Sequence, residues 1–219
     1  MVTLESLKND PDITALIKRA DDLMGVIGYT EHGMRHCTLT SNISRNVLSI
    51  LGDDERVCEL AGIAAYMHDL GNVVNRNLHA EYGSILAFQL LTARGMSVQE
   101  AVEVAAAIGY HDENTGGPIS RIGSAVILAD KSDVHESRVR DLSQISSDIH
   151  DRVNYAAKSS FLRINAEEKT ASLEITIDTA ISQVMEYFEI FLSRMSISRQ
   201  AAKFLGLRYE LEINGFKLL

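Results

Sequence analysis

Leu60-Ala-Gly-Ile-Ala-Ala-Tyr-Met-His-Asp-Leu-Gly71 is an Ala-rich apolar run that ends in an imidazole and a carboxylate on adjacent residues, His68 and Asp69. A helix that only filled a core would not need such an ending. Neutral nitrogen and anionic oxygen carried on one rigid backbone segment suit a divalent transition metal. Outward from this run, apolar residues recur three and four apart from Asp12 to about Tyr155, and strand-like alternation is scarce, which predicts a mostly α fold. Asp10-Pro11 opens a first helix running to about Gly28, and Asp53 or Asp54 caps the helix that carries Val57, Leu60, Ala61 and Ala64. Ser97 with Glu100 makes a capping box, Gly109 marks the end of that helix, and Asn114-Thr-Gly-Gly-Pro118 leads into another helix ending near Asp133.

The pattern changes after Asn154. Phe161-Leu-Arg-Ile164 and Ala171-Ser-Leu-Glu-Ile-Thr-Ile177 alternate with a period of two around Asn165–Thr170, which predicts a hairpin. A helix from about Thr179 to Met195, a shorter one from Ser198 to Leu205 and an alternating strand, Leu207–Ile213, follow. The expected organisation is a helical metal-binding domain over residues 1–155 and a small C-terminal α+β module over 156–219 containing an antiparallel sheet.

Helical spacing predicts which polar residues turn inward. His36, Leu39, Ile43, Val47 and Ile50 form one stripe, Ala61, Ala64 and His68 a second, and Ile119, Ile122, Val126 and Asp130 a third. The alanines of the second stripe let neighbouring helices approach closely enough to share an ion. A lone Asp on an apolar face is costly unless paired or bound to a cation. Three inward polar groups from three helices therefore imply a common cationic partner.

The 219 residues include 21 basic and 30 acidic ones, a formal charge of −9 that disfavours nucleic-acid polymers and anionic membranes as partners. A small phosphorylated ligand remains compatible, because bound cations reverse the potential locally. Cys37 and Cys58 show no disulfide or zinc spacing and are expected to pack in helices in a reducing compartment. No run approaches the roughly 20 apolar residues of a membrane span, and the N-terminal residues lack a basic region followed by an apolar core, so a cytoplasmic location is expected. Phosphate-loop, nucleophile-elbow and His-Glu-x-x-His motifs are missing from the sequence.

The order His36, His68-Asp69, Asp130 resembles the His…His-Asp…Asp signature of the HD-domain superfamily of metal-dependent phosphohydrolases, over roughly residues 29–140. His79, in Arg76-Asn-Leu-His-Ala-Glu-Tyr-Gly83, and His111, in Ile108-Gly-Tyr-His-Asp112, resemble the additional ligands of members that bind two metals, among them bacterial dinucleoside-tetraphosphate hydrolases and cyclic-dinucleotide phosphodiesterases. The resemblance implies an HD-domain helical bundle in which His36, His68, Asp69 and Asp130 hold one divalent transition-metal ion (Fe, Mn, Co, Ni or Zn). His79 and His111 would hold a second, with Asp69 bridging. It implies hydrolysis of a nucleotide or other small phosphorylated compound by a metal-activated water, with Asp69 and Lys131 carrying the catalysis.

Cationic groups near the ligands are expected to receive the rest of the phosphate: Lys131, then Arg76 and Arg138, with Arg140 assigned to a solvated ion pair. His32 is expected to contact substrate, His135 to sit near the pocket mouth, and His150 to play no part as a ligand. The six ligands also resemble those of HD-fold mixed-valent di-iron oxygenases, and a nucleotide-binding regulatory protein is a third reading. Sheet edges in the C-terminal module would allow a homodimer.

Overall fold

In the computed structural model, which describes residues 1–145 and 148–218, the apolar run from Leu60 to Met67 forms the fully buried part of one helix. The helical part comprises α1 (Leu4–Lys8), α2 (Pro11–Val26), α3 (Met34–Ile50), α4 (Glu55–Met67), α5 (His79–Ala93), α6 (Val98–Gly109), α7 (Arg121–Ser132) and α8 (Ile149–Ala156). Every α4 residue from Leu60 to Met67 is buried, and α1, α3, α6 and α7 pack around it. A helical stretch with no solvent face needs no polar stripe, and Leu60–Met67 carries no charged residue. Among the described residues no helix is long and apolar enough to cross a membrane.

The inward face of α3 is rotated from the stripe expected. Leu39 and Ile50 are exposed, and the buried residues are His36, Cys37, Thr40, Ser41, Ser44, Val47 and Leu48. Small side chains face the α4 alanines there, so the helices come close without bulky apolar groups between them. Their hydroxyls are satisfied by backbone carbonyls: Thr40 Oγ1 donates to that of His36 in its own helix at 2.9 Å and Ser44 Oγ to that of Ala61 in α4 at 3.2 Å. Ile119 likewise precedes α7 and is exposed, while Ile122, Val126 and Asp130 are buried.

One of the three expected caps forms as its motif announces, and two differ in detail. Asp10 caps α2 by accepting from Asp12 N–H and Ile13 N–H. Asp54 occupies the N-cap of α4 without a side-chain bond, and the Asp53 carboxylate is taken by Arg121 instead. Ser97 accepts from Glu100 N–H at the start of α6, but the Glu100 carboxylate turns to Arg56, so only half of the box forms.

The C-terminal elements are β1 (Ala157–Asn165), β2 (Thr170–Ile177), α9 (Val184–Phe204), β3 (Arg208–Ile213) and β4 (Phe216–Lys217), in a sheet of order β1-β2-β3-β4. The β1-β2 hairpin and the β3-β4 pair are antiparallel, but β2 and β3 run parallel, so the sheet is mixed rather than antiparallel. Period-two alternation reports which face a residue lies on and not the strand's direction. The direction is set by the connection: α9 carries the chain back along the sheet, as a parallel pair requires. That helix is also single, where two were expected. Ile197 and Ser198 are buried at the expected break, and their packing outweighs the weak helical preference of Ser196-Ile-Ser198. It lies along α7, and one apolar core runs from Leu4 through α4 and α7 to Leu211.

Candidate metal centre

Six polar side chains meet where several helices begin or end. His36 sits in the first turn of α3, His79 opens α5, Asp130 is in the last turn of α7, and His111 follows the end of α6. His68 and Asp69 lie where α4 gives way to a short 3-10 turn, Leu70–Val73. Backbone contact fixes this crossing. A Cβ on Gly71 would overlap the His79 carbonyl and come within 2.5 Å of Gly83 N, and one on Gly83 would lie 3.1 Å from the His68 carbonyl oxygen. Two glycines thus let the turn press against α5 and bring Asp69 to His79.

Hydrogen bonds fix the direction of each imidazole. His68 Nδ1 lies 2.7 Å from the Ala65 carbonyl, His79 Nδ1 3.0 Å from that of Arg76, and His111 Nδ1 2.6 Å from that of Ile108. A carbonyl only accepts, so each Nδ1 carries the donating proton and each Nε2 is left for another role. His36 Nδ1 is held the same way by the Asp133 carboxylate, at 2.6 Å. The four Nε2 atoms then converge: His36 and His68 are 3.3 Å apart, His79 and His111 3.2 Å. Neighbouring ring centroids along the series His36, His68, His111, His79 stand 5.1, 4.9 and 5.0 Å apart.

Two carboxylates close the cluster. Asp130 Oδ1 lies 3.3 Å from His36 Nε2 and 3.7 Å from His68 Nε2. Asp69 reaches both halves, with Oδ2 3.3 Å from His68 Nε2 and Oδ1 3.7 Å from His79 Nε2. Asn72 Nδ2 donates to Oδ1 at 2.8 Å, whereas Oδ2 is buried without a hydrogen bond. His36, His68 and Asp130 form one set whose ligand atoms lie within 4.8 Å of one another, and His68, Asp69 and His111 form another. Converging nitrogen lone pairs and an orphaned carboxylate oxygen repel one another unless a cation lies among them. The donor set fits a divalent transition metal, with the Nδ1 acceptors in the outer positions such ligands require.

The charges agree with this. Burial pushes His111 and His32 well below the ordinary histidine value, and the neighbouring positive groups His68 and Arg138, respectively, push the same way. Burial lowers His79 too. At His68 burial is overcome by Asp69 and Asp130, which raise it to about 10. Burial works against ionisation of Asp69 and Asp130, yet His68 and Lys131, respectively, hold them well below the usual carboxylate range. Asp69 and Asp130 thus stabilise positive charge at the cluster, which His68 carries as a proton and a bound cation would supply in its place.

Arg76 and His32 line a cleft of about 420 Å³ beside the cluster, with Tyr29, Glu113, Phe191 and Arg194. Arg76 Nη1 is 3.9 Å from Asp69 Oδ1, and the His32 ring is 5.8 Å from that of His36. Lys131 is buried between Asp130 and Glu113, its Nζ 2.7 and 2.5 Å from their oxygens, so its charge is balanced inside the protein. Arg138 differs most from expectation. The helix ends at Ser132, and the buried guanidinium donates to the carbonyls of Glu31 and Asp133 rather than facing a ligand. Arg140 pairs with Asp21 at the surface. Of the two outer histidines it is His150 that lines the cleft, while His135 caps the 3-10 turn Glu136–Arg138.

Several residues at the site carry no signal in the sequence. Asp133 orients His36 and is itself held by Arg35, at 2.7 Å, and by Arg138. Asp112 Oδ2 lies 3.8 Å from His79 Nε2. Glu113 joins Lys131 to Arg194 of α9, so the C-terminal elements reach the cleft. Only the adjacency of Asp112 and Glu113 to His111 could have pointed to them.

No family model matches the chain. It is similar to an uncharacterized protein of Methanocaldococcus jannaschii, 26% identical over 210 residues, an alignment covering 85% of this chain and 80% of that one.

Proposed function

We propose that the chain is a metal-dependent phosphohydrolase acting on a nucleotide or other small phosphorylated compound. The observation that carries this reading is the tautomer pattern: four histidines with Nδ1 committed to acceptors and Nε2 converging on two buried carboxylates. Its likeness to the HD-domain ligand order, with His79 and His111 added, supports the choice of hydrolysis. His36, His68 and Asp130 would hold one ion and His79 and His111 a second, with Asp69 shared. Bound there, divalent ions would supply Lewis acidity and lower the pKa of water toward neutrality.

The chain's own groups would do the rest. Asp69 fixes the spacing of the two halves, with Asn72 steadying one of its oxygens. Arg76, stacked 5.0 Å over the Tyr29 ring and beside Asp69, would receive non-bridging phosphoryl oxygens from the cleft side. Its reserve of donors is large, since only Nη1 is hydrogen-bonded, to Asn72 at 3.3 Å. Lys131 would act by keeping Asp130 ionised and placed, and Arg138 by holding Asp133 and the segment around Glu31 against His36.

Metal analysis of the purified protein, followed by a panel of nucleotides, dinucleotides and sugar phosphates with manganese, iron and cobalt, tests the proposal. Phosphate release that disappears in Asp69→Ala supports it. Oxygen uptake with iron and no phosphate release, or no bound metal at all, would overturn it.

A further inference from the structure

Seven arginines among the described residues have side chains less than one-third exposed, and five of them engage all three guanidinium nitrogens. Arg56 binds Glu100 and the Val2 carbonyl, Arg94 binds Asp10, Asp12 and the Leu90 carbonyl, and Arg152 binds Glu186 and the Ile145 carbonyl. Arg138 and Arg140 fill theirs with backbone carbonyls and with Asp21. The two exceptions are Arg76 and Arg194, with one bonded nitrogen each, and both line the same cleft. Each also lies over an aromatic ring at 5.0 Å, Arg76 over Tyr29 and Arg194 over Phe191.

A guanidinium that is four-fifths buried has given up most of its water, and an unfilled fork in that setting is suited to an oxyanion. The two forks are not equivalent. Arg76 lies against the cluster carboxylate Asp69, but the ion pairs of Arg194 stop at Glu113, whose other partner, Lys131, stands between it and Asp130. Arg194 gives Glu113 only its Nε, at 3.4 Å, which leaves both Nη groups for the cleft. Arg76 stands 3.9 Å from the ligand carboxylate Asp69, whereas Arg194 is paired with Glu113 and with neither Asp69 nor Asp130, so the two forks offer the cleft two separate anchors.

We infer that Arg194, carried by the C-terminal helix α9, is a substrate-binding residue for a second anionic group beyond the phosphoryl that reacts, so that the preferred ligand is a diphosphate or longer. The inference rests on the hydrolase reading for its reacting phosphoryl. It gives α9 a place in the site that the sequence did not suggest. The rival is a purely structural pin, in which Arg194 only anchors α9 to Glu113.

Calorimetric titration at low ionic strength separates these, with methylenediphosphonate, a diphosphate mimic that resists hydrolysis, as the probe and orthophosphate as the control. Arg194→Ala should weaken diphosphonate binding by about tenfold or more, the loss of a charge-assisted pair, and leave orthophosphate binding, metal content and thermal midpoint near wild type. Equal affinity for the diphosphonate in variant and wild type overturns the inference, as does a loss shared equally by both anions. If Arg194→Ala fails to fold, Arg194→Lys decides: it keeps the charge toward Glu113 without the fork, and wild-type affinity there also overturns it. Diphosphonate binding that depends on Arg194 in a protein without metal or turnover would uphold the anion site while removing the hydrolase reading.

Discussion

His36 Nδ1 and the Asp133 carboxylate stand 2.6 Å apart, both buried, at the outer edge of the imidazole cluster. The bond fixes the His36 tautomer and the direction of the Nε2 that faces His68 and Asp130. Asp133→Asn keeps the shape but removes the charge, and outer-layer changes of this kind cost about 10- to 100-fold in metal affinity. Competition with a chromophoric chelator would measure it. Unchanged affinity would mean that His36 is not a ligand.

Gly71 makes a separate, steric prediction. Its Cβ would occupy the space of the His79 carbonyl, which is backbone and cannot swing aside. Gly71→Ala should destabilise the protein by about 3 kcal/mol, at the upper end of the usual cost of overpacking. Because the same crossing sets the approach of His79 to Asp69, bound metal should fall as well. A variant with the wild-type urea midpoint and full metal content would show that the crossing is slack.

Away from the site, Asp10 links the start of α2 to Arg94, which follows the end of α5. The Arg94 guanidinium, with help from two backbone N–H groups, lowers the Asp10 carboxyl from 3.8 to about 2. A depressed carboxyl stabilises the fold fully above its unfolded value, and the contribution is lost as pH falls through the folded one. Asp10→Ala should therefore cost about 1 kcal/mol at pH 7, as the loss of a helix cap does. The gap between variant and wild type should narrow between pH 4 and pH 2. Urea midpoints at pH 7, 4 and 3 would test the sign, and a gap that widened on acidification would contradict it.

Three of the clustered side chains were legible from helical periodicity, His68 after an unbroken apolar run, Asp130 on the Ile122 and Val126 stripe and His36 within a helix, whereas His79 and His111 were singled out only by the resemblance. Legibility failed where position depends on distant backbone. Arg138 read as helical until Ser132 proved to be the end of α7, after which the chain turns and buries it against Glu31. Arg194 lies 64 residues beyond Asp130 in sequence (194 − 130) and reaches the cleft only because α9 packs along α7. The small polar face of α3 escaped notice because Thr40 and Ser44 bury hydroxyls bonded to the backbone, a pattern a hydrophobic stripe does not reveal.

Asp69 separates a one-ion site from a two-ion site. Its Oδ2 faces His68 and His36, at 3.3 and 3.7 Å, and its Oδ1 faces His79 at 3.7 Å, so it is the carboxylate that reaches both histidine pairs. If two ions bind, removing a ligand from one end should remove one of them: His79→Ala should retain about one metal per chain and His36→Ala likewise, each with most of the activity gone. Asp69→Ala should loosen both, because the shared oxygens are lost and the two halves lose their common charge. Elemental analysis of the three variants after dialysis against a weak chelator gives the stoichiometries directly. Full loss of metal in His79→Ala would mean a single ion held by the whole cluster, and full retention in Asp69→Ala would remove Asp69 from the coordination altogether.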